Sequence, residues 1–351
     1  SNGNSAGGIL LHGGESVGVG ASISMISGNS DLSTGGSMTF VSGASLEGES
    51  GSIKIQSGSA HLSGDSGAIS INSGTSNNGG SGSVNIGTGN VASGSSGNIE
   101  VVVGLSNSGI GGSIKVKAGK SLSSTGGAVT MSSGSSETSG SGGLSVSTPA
   151  SGMSGSSGEI KVSTGNSVGL STGDIRMTTG SSANGKGGDI LIAVDDSHLE
   201  GGSINVAAGS SALSTGGHIE IYSGSSQSAS SGQMRFRTGD STENGESGGI
   251  GLSSGEAHQG RSGSISMTTG SAREGNSGGV HLVAGNSDVG QGGGVNIEGG
   301  SSKAGTGGSI MMKTGKSSGL FSGDAVLQSS SNDIGNGGSG SITLMTGKSS
   351  G

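Results

Sequence analysis

The chain contains no cysteine and no tryptophan, and only one proline (Pro149), one tyrosine (Tyr222) and three phenylalanines in 351 residues. Without cysteine there is no disulfide framework and no thiolate zinc site. With aromatics at 1% and hydrophobic residues at 27%, the chain lacks the bulky apolar side chains of a conventional core, which draws on nearly half the residues. A two-domain α/β enzyme is therefore not expected. The net charge of −8 argues against general nucleic-acid binding. No apolar run approaches the length of a membrane span. Residues 1–30 show no basic stretch followed by an apolar one, and the chain starts at Ser1, so a processed or excised piece is expected. None of the 19 Asn residues lies in an Asn-x-Ser/Thr acceptor, which leaves only Ser and Thr as candidate glycosylation sites.

What is present is glycine (83 residues), abundant serine and a strict repeat. An apolar-x-apolar pair recurs 23 times, beginning at Ile9 and ending at Ile342, with steps of 14 to 17 residues and a mean of about 15. With the first apolar residue as position zero, Gly stands two before it in all units but one, where Ala21 replaces it. Gly stands five after it in 20 of 23 units, the exceptions being Pro149, Asp195 and Ser330. Position seven is Ser in 18 units and Ala in three more (Ala60, Ala257, Ala272).

This period-two alternation of Ile and Val suits an extended, half-buried segment. Gly at position five suits a turn. The near-constant Ser at position seven reads as a second inward point with room only for a small side chain. Each unit offers one such segment, so stacking the units as coils would give every backbone group a partner. The expected fold is all-β: residues 1–351 as one continuous parallel β-solenoid (β-helix) of about 23 coils, about 15 residues each, without separate caps. Such a rod would be roughly 110 Å long at strand spacing.

Charge placement supports a 15-residue coil over a 30-residue one. The outward segment positions, one and three after zero, hold only three acids, Glu100, Glu220 and Glu298, and each has a base 15 residues later: Lys115, Arg235 and Lys313. Stacked coils would make these direct cross-coil pairs. Tyr222 would likewise lie beside Arg237, within cation–π reach. A second period overlays the first. Thr34, Thr125, Thr215 and Thr306, each followed by Gly-Gly, stand 91, 90 and 91 residues apart, with Leu32, Leu122 and Leu213 just before the first three. This reads as a six-unit block copied about four times.

No catalytic constellation emerges. Gly119-Lys120-Ser121, Gly315-Lys316-Ser317 and Gly347-Lys348-Ser349 are repeat turns, not phosphate loops, since no strand and helix flank them. The six His residues fall at different positions of the unit and form no cluster, and no Ser recurs beside a His and an Asp. No cofactor motif is present and no enzymatic activity is expected. Glu159, Asp174 and Asp189 stand one before position zero in three successive units, a like-charge column that a cation such as Ca²⁺ would relieve. Lys161 and Arg176, two residues further on, offer neutralisation by ion pairing instead.

Outward segment positions carry eight of the 15 basic residues (Lys54, Lys115, Lys117, Lys161, Arg176, Arg235, Arg237, Lys313) and three of the 23 acids. The turns are therefore acidic and the segment face basic. The plain reading is a solvated face; the sharper one is lateral docking of basic face on acidic turn edge, or adsorption of an anionic polysaccharide or a mineral. No capping element precedes Ile9 and Leu11 or follows Ile342 and Leu344, so these four residues are the expected end-to-end contacts between copies.

Units such as Gly112-Ser113-Ile114-Lys115-Val116-Lys117-Ala118-Gly119-Lys120-Ser121 and Gly263-Ser264-Ile265-Ser266-Met267-Thr268-Thr269-Gly270-Ser271-Ala272 resemble the Gly/Ser-rich tandem repeats of large secreted surface proteins of diatoms and related algae. The resemblance covers almost the whole chain and transfers no functional residue. It implies an extracellular or cell-surface setting and a role in wall, fibre or adhesive. The expected function is structural: a rod contributing to a fibre or adhesive matrix, with other copies of the chain as partners, end to end and also side by side. The alternative is a surface- or ice-binding β-helix, against which stand the mixed outward pairs Lys115/Lys117, Thr130/Ser132, Glu220/Tyr222 and Arg235/Arg237. A carbohydrate-active β-helix would need clustered carboxylates in a cleft.

Overall fold

A computed structural model describes residues 7–331 and 338–347. Among these residues there is no helix and no β-strand, so the chain is not an all-β solenoid, and the β-helix expectation is corrected. Nor is any of them buried. The chain exposes 35674 Å², against about 12,000 Å² for a folded protein of this mass and about 47,000 Å² for a fully unfolded one. It divides into two units, residues 1–176 and 177–351. The boundary falls inside the segment Ile175-Arg176-Met177, where the repeat itself runs on unchanged.

The repeat is nonetheless written into the backbone. Each of the first 21 units bends once, directly after position seven in most, as at residues 17–19, 31–33, 46–48, 122–124 and 288–290, and one residue later after Ala60, Ser151 and Ser241; the apolar segments between run without a bend. The cause is the position-seven serine. Its Oγ accepts a hydrogen bond from the backbone N–H three residues on at Ser30, Ser45, Ser76, Ser106, Ser121, Ser136, Ser167, Ser182, Ser211, Ser226, Ser287 and Ser302, at 2.9–3.2 Å. At Ser16 and Ser317 the donor is two residues on, at 3.1 Å. A short hydroxyl that captures a nearby amide stabilises a turn without a sheet partner. The sequence reading of this serine as an inward-facing filler is therefore replaced by a turn acceptor. Ser151, Ser197 and Ser241, for which no such bond forms, sit in units of 16, 14 and 16 residues, where the turn is out of step.

Four described units carry Ala60, Val91, Ala257 or Ala272 at position seven in place of Ser. These four units contain the four positive-φ glycines, Gly64 (102°), Gly94 (116°), Gly260 (147°) and Gly275 (149°). In these four units, which carry no position-seven hydroxyl, the chain turns through a conformation open to glycine alone.

A second device closes the loop across the turn. The N–H of the glycine two before a segment donates to the carbonyl of the glycine five into the preceding one. Examples are Gly36 to Gly28 and Gly51 to Gly43 at 2.8 Å, and Gly127 to Gly119 and Gly142 to Gly134 at 2.9 Å. Gly217 to Gly209, Gly232 to Gly224, Gly308 to Gly300 and Gly323 to Gly315 repeat the pattern, so the closed pairs return in the same 91, 90 and 91 steps as the Thr-Gly-Gly block. Ala21 to Gly14 and Gly293 to Gly285 add two more.

The residue at position four is mostly small in the closed loops, although the loops after Ser57, Ser73 and Ser254 stay open as well. It is Gly, Ala or Ser in nine of these ten loops, Thr314 being the exception. Units with Val103, Thr88, Thr164, Thr179 or Thr269 there form no such bond. A branched methyl occupies the approach: a Cβ on Gly112 would meet Val103 Cγ1 at 2.6 Å, and one on Gly188 would meet Thr179 Cγ2 at 3.3 Å.

Coils do not stack because these backbone groups find partners within their own loop, eight residues apart. One bond closes each of these ten loops, and among the described residues no ladder continues beyond it. Each unit also has only two aliphatic side chains to bury, worth about 1.5–3 kcal/mol each, against about 1–2 kcal/mol for every residue fixed.

Candidate interaction surface

The segment residues stand open. Position zero is about half-exposed in most units (Ile53 57%, Ile114 56%, Ile175 53%), and in most of them position two is more exposed still. Successive residues of an extended segment point to opposite sides, so Ile53 and Ile55 share one side and Lys54 takes the other. The same holds for Ile160-Lys161-Val162 and for Ile114-Lys115-Val116-Lys117. Lys54, Lys115, Lys117, Lys161 and Lys313 form no ion pair among the described residues.

The loop tips carry the opposite sign and an apolar residue of their own. Leu32, Leu46, Leu62, Leu199 and Val289 are fully or nearly fully exposed at the bend. Asp31 precedes Leu32, Glu47 follows Leu46, Glu200 follows Leu199 and Asp288 precedes Val289. These four acids also form no ion pair among the described residues.

The expected cross-coil pairs do not form. Glu100 lines an open cleft with Thr88, Ile99, Ser132, Gly134 and Gly143, and makes no ion pair with Lys115. Arg235 Nη2 donates to Gln233 Oε1 at 2.9 Å, while Glu220 lies 3.8 Å from His218 Nε2. Glu298 and Lys313 do not meet. Tyr222 is exposed, and the nearby Arg237 pairs with Asp240 at 2.5 Å. Each charge finds a partner two or three residues away or none, because no neighbouring coil lies beside it.

The acidic column resolves locally as well. Asp174 pairs with Arg176 at 2.9 Å, as the spacing suggested. Asp189 takes Lys186 at 2.7 Å. Glu159 and Lys161 form no ion pair. No group of three or more His, Asp or Glu side chains is placed to hold a metal among the described residues. The end residues Ile9, Leu11 and Leu344 are exposed and Ile342 is half-exposed. Gly347 is the last described residue, so Lys348 and Ser349 of the third Gly-Lys-Ser turn lie outside the described residues. No helix among the described residues is long and apolar enough to cross a membrane.

Two features escaped the sequence reading. The turn role of Ser was legible in Ser-x-x-Gly, as in Ser45 to Gly48, Ser76 to Gly79 and Ser302 to Gly305. The loop-tip apolar residues were legible beside those serines. No protein-family model, no curated protein and no solved structure matches this chain.

Proposed function

We propose that this is a structural repeat protein, without enzymatic activity, that works by association of many copies into a fibre or adhesive matrix outside the cell. One observation carries the reading. Each unit presents an Ile/Val-rich segment, and the chain on its own buries none of the described ones. The exposed area exceeds that of a folded protein by more than about 20,000 Å², whereas a stable protein–protein interface takes only about 1,600 Å². Exposed apolar segments repeated along a whole chain mark one whose contacts lie with other molecules. The extracellular setting rests on the likeness of its units to algal surface-protein repeats.

The experiment is sedimentation velocity over a concentration series, with electron microscopy of the most concentrated sample. Mass rising with concentration and the appearance of filaments or networks are expected. A chain that stays monomeric throughout overturns the proposal.

A further inference from the structure

We infer that the acidic, apolar-tipped loops of one copy dock on the basic apolar segments of another copy, which names the partner and the contact for the association proposed above and rests on that reading. The two surfaces are complementary twice over. The loop tips Asp31-Leu32, Leu46-Glu47, Leu199-Glu200 and Asp288-Val289 each set a carboxylate beside an exposed aliphatic side chain. The segments Ile53-Lys54-Ile55, Ile114-Lys115-Val116-Lys117 and Ile160-Lys161-Val162 each set an ammonium group beside two exposed aliphatic ones.

Neither set is satisfied within the chain: these carboxylates and these lysines form no ion pair among the described residues. Their own loop geometry keeps them apart. The serine turns at Ser30, Ser45 and Ser287 and, in the closed loops, the Gly–Gly bond hold the tips, whose exposed Leu or Val stands five to seven residues before the next segment. A segment with no strand beside it is open along its edge. A tip arriving there places its Leu or Val against the Ile/Val side, while its carboxylate meets the lysine stem from the other.

A second copy fits better than an anionic polysaccharide, which would meet the lysines but leave the tip aliphatics and the apolar side of the segments uncovered. The repeat also makes the contact multivalent. One pair of copies that places several tips on several segments gains avidity from each further tip, so weak single contacts suffice.

Two charge-reversed chains test this. The first carries Asp31→Lys, Glu47→Lys, Glu200→Lys and Asp288→Lys; the second carries Lys54→Glu, Lys115→Glu, Lys117→Glu and Lys161→Glu. All eight positions are exposed, and none holds a turn. Sedimentation velocity of each alone is expected to show association weakened by about tenfold or more, and an equimolar mixture is expected to restore it. A third chain, with Leu32, Leu46, Leu199 and Val289 replaced by Ser, is expected to lose association with its charges intact. If the parent associates and the reversed chains associate equally well, the docking contact is wrong although self-association stands. A parent that remains monomeric removes both. If the mixture restores nothing while each reversed chain is weakened, the docking contact is also overturned.

Discussion

The Gly48 amide donates to Ser45 Oγ at 2.9 Å, and one unit later, where Ala60 stands in place of the serine, Gly64 takes a φ of 102°. The two units solve the same turn by different means. One uses a side-chain acceptor and the other a backbone conformation. The first is available to any residue at the bend, and the second depends on glycine.

Ser45→Ala is expected to free the Gly48 amide, at a local cost of about 0.5–1.5 kcal/mol. Amide hydrogen exchange and the temperature coefficient of the Gly48 shift would both report it. Ala272→Ser, in a unit of 15 residues whose bend is in step, should do the reverse and protect the amide of Gly275. An unchanged Gly48 amide in Ser45→Ala would show that the hydroxyl does not hold the turn.

At Gly36 the loop closure brings two stretches of backbone close together. A Cβ on Gly36 would lie 3.2 Å from the Gly28 nitrogen and 3.4 Å from its carbonyl oxygen. Gly36→Ala is expected to break the Gly36 to Gly28 bond and abolish the cross-loop nuclear Overhauser contact. Gly58→Ala, where a Cβ meets nothing within 4 Å, should leave its loop as it is.

Shortening the side chain at position four should close a loop that is open. Val103 Cγ1 stands where a Cβ on Gly112 would meet it at 2.6 Å, and Val103→Ala removes that methyl. The Gly112 amide is then expected to bond the Gly104 carbonyl and to exchange more slowly than in the parent. Equal exchange in the two chains would mean that something besides the methyl keeps this loop open.

Association and turn formation should separate cleanly. Replacing Ile53, Ile55, Ile160 and Val162 by Ser removes about 1.5–3 kcal/mol of potential burial at each position without touching a turn serine or a closing glycine. The concentration at which copies associate is expected to rise, while the Gly48 amide keeps its protection. Loss of both together would mean that the turns form only in the assembled state.

Salt separates the two halves of the docking contact. Screening at high ionic strength should weaken the parent's association partially, since apolar contact survives it, and should leave the chain with serine-substituted tips unaffected. Measured across a salt series, complete insensitivity of the parent would remove the lysine–carboxylate half of the contact.

Much of the local structure follows from residue order alone. The period of about 15 is there, and so are the single bend per unit, the small residue at position four and the six-unit block. Thr34-Gly35-Gly36 and Thr125-Gly126-Gly127 stand where loops close, and the six-unit block repeats that closure.

The pairing of backbone groups was decided in space. Alternation of Ile53 and Ile55 with Lys54 specifies which side each residue takes, but it is silent on what lies beside the segment. Glu100 and Lys115 at 15-residue spacing suit a stacked coil equally well on paper. The fold instead joins Gly28 to Gly36 and Ser45 to Gly48, because contacts across eight or three residues cost far less chain entropy than registering whole coils. Small side chains at positions four and seven bury too little to offset that cost, so the apolar segments remain open to whatever the chain meets next.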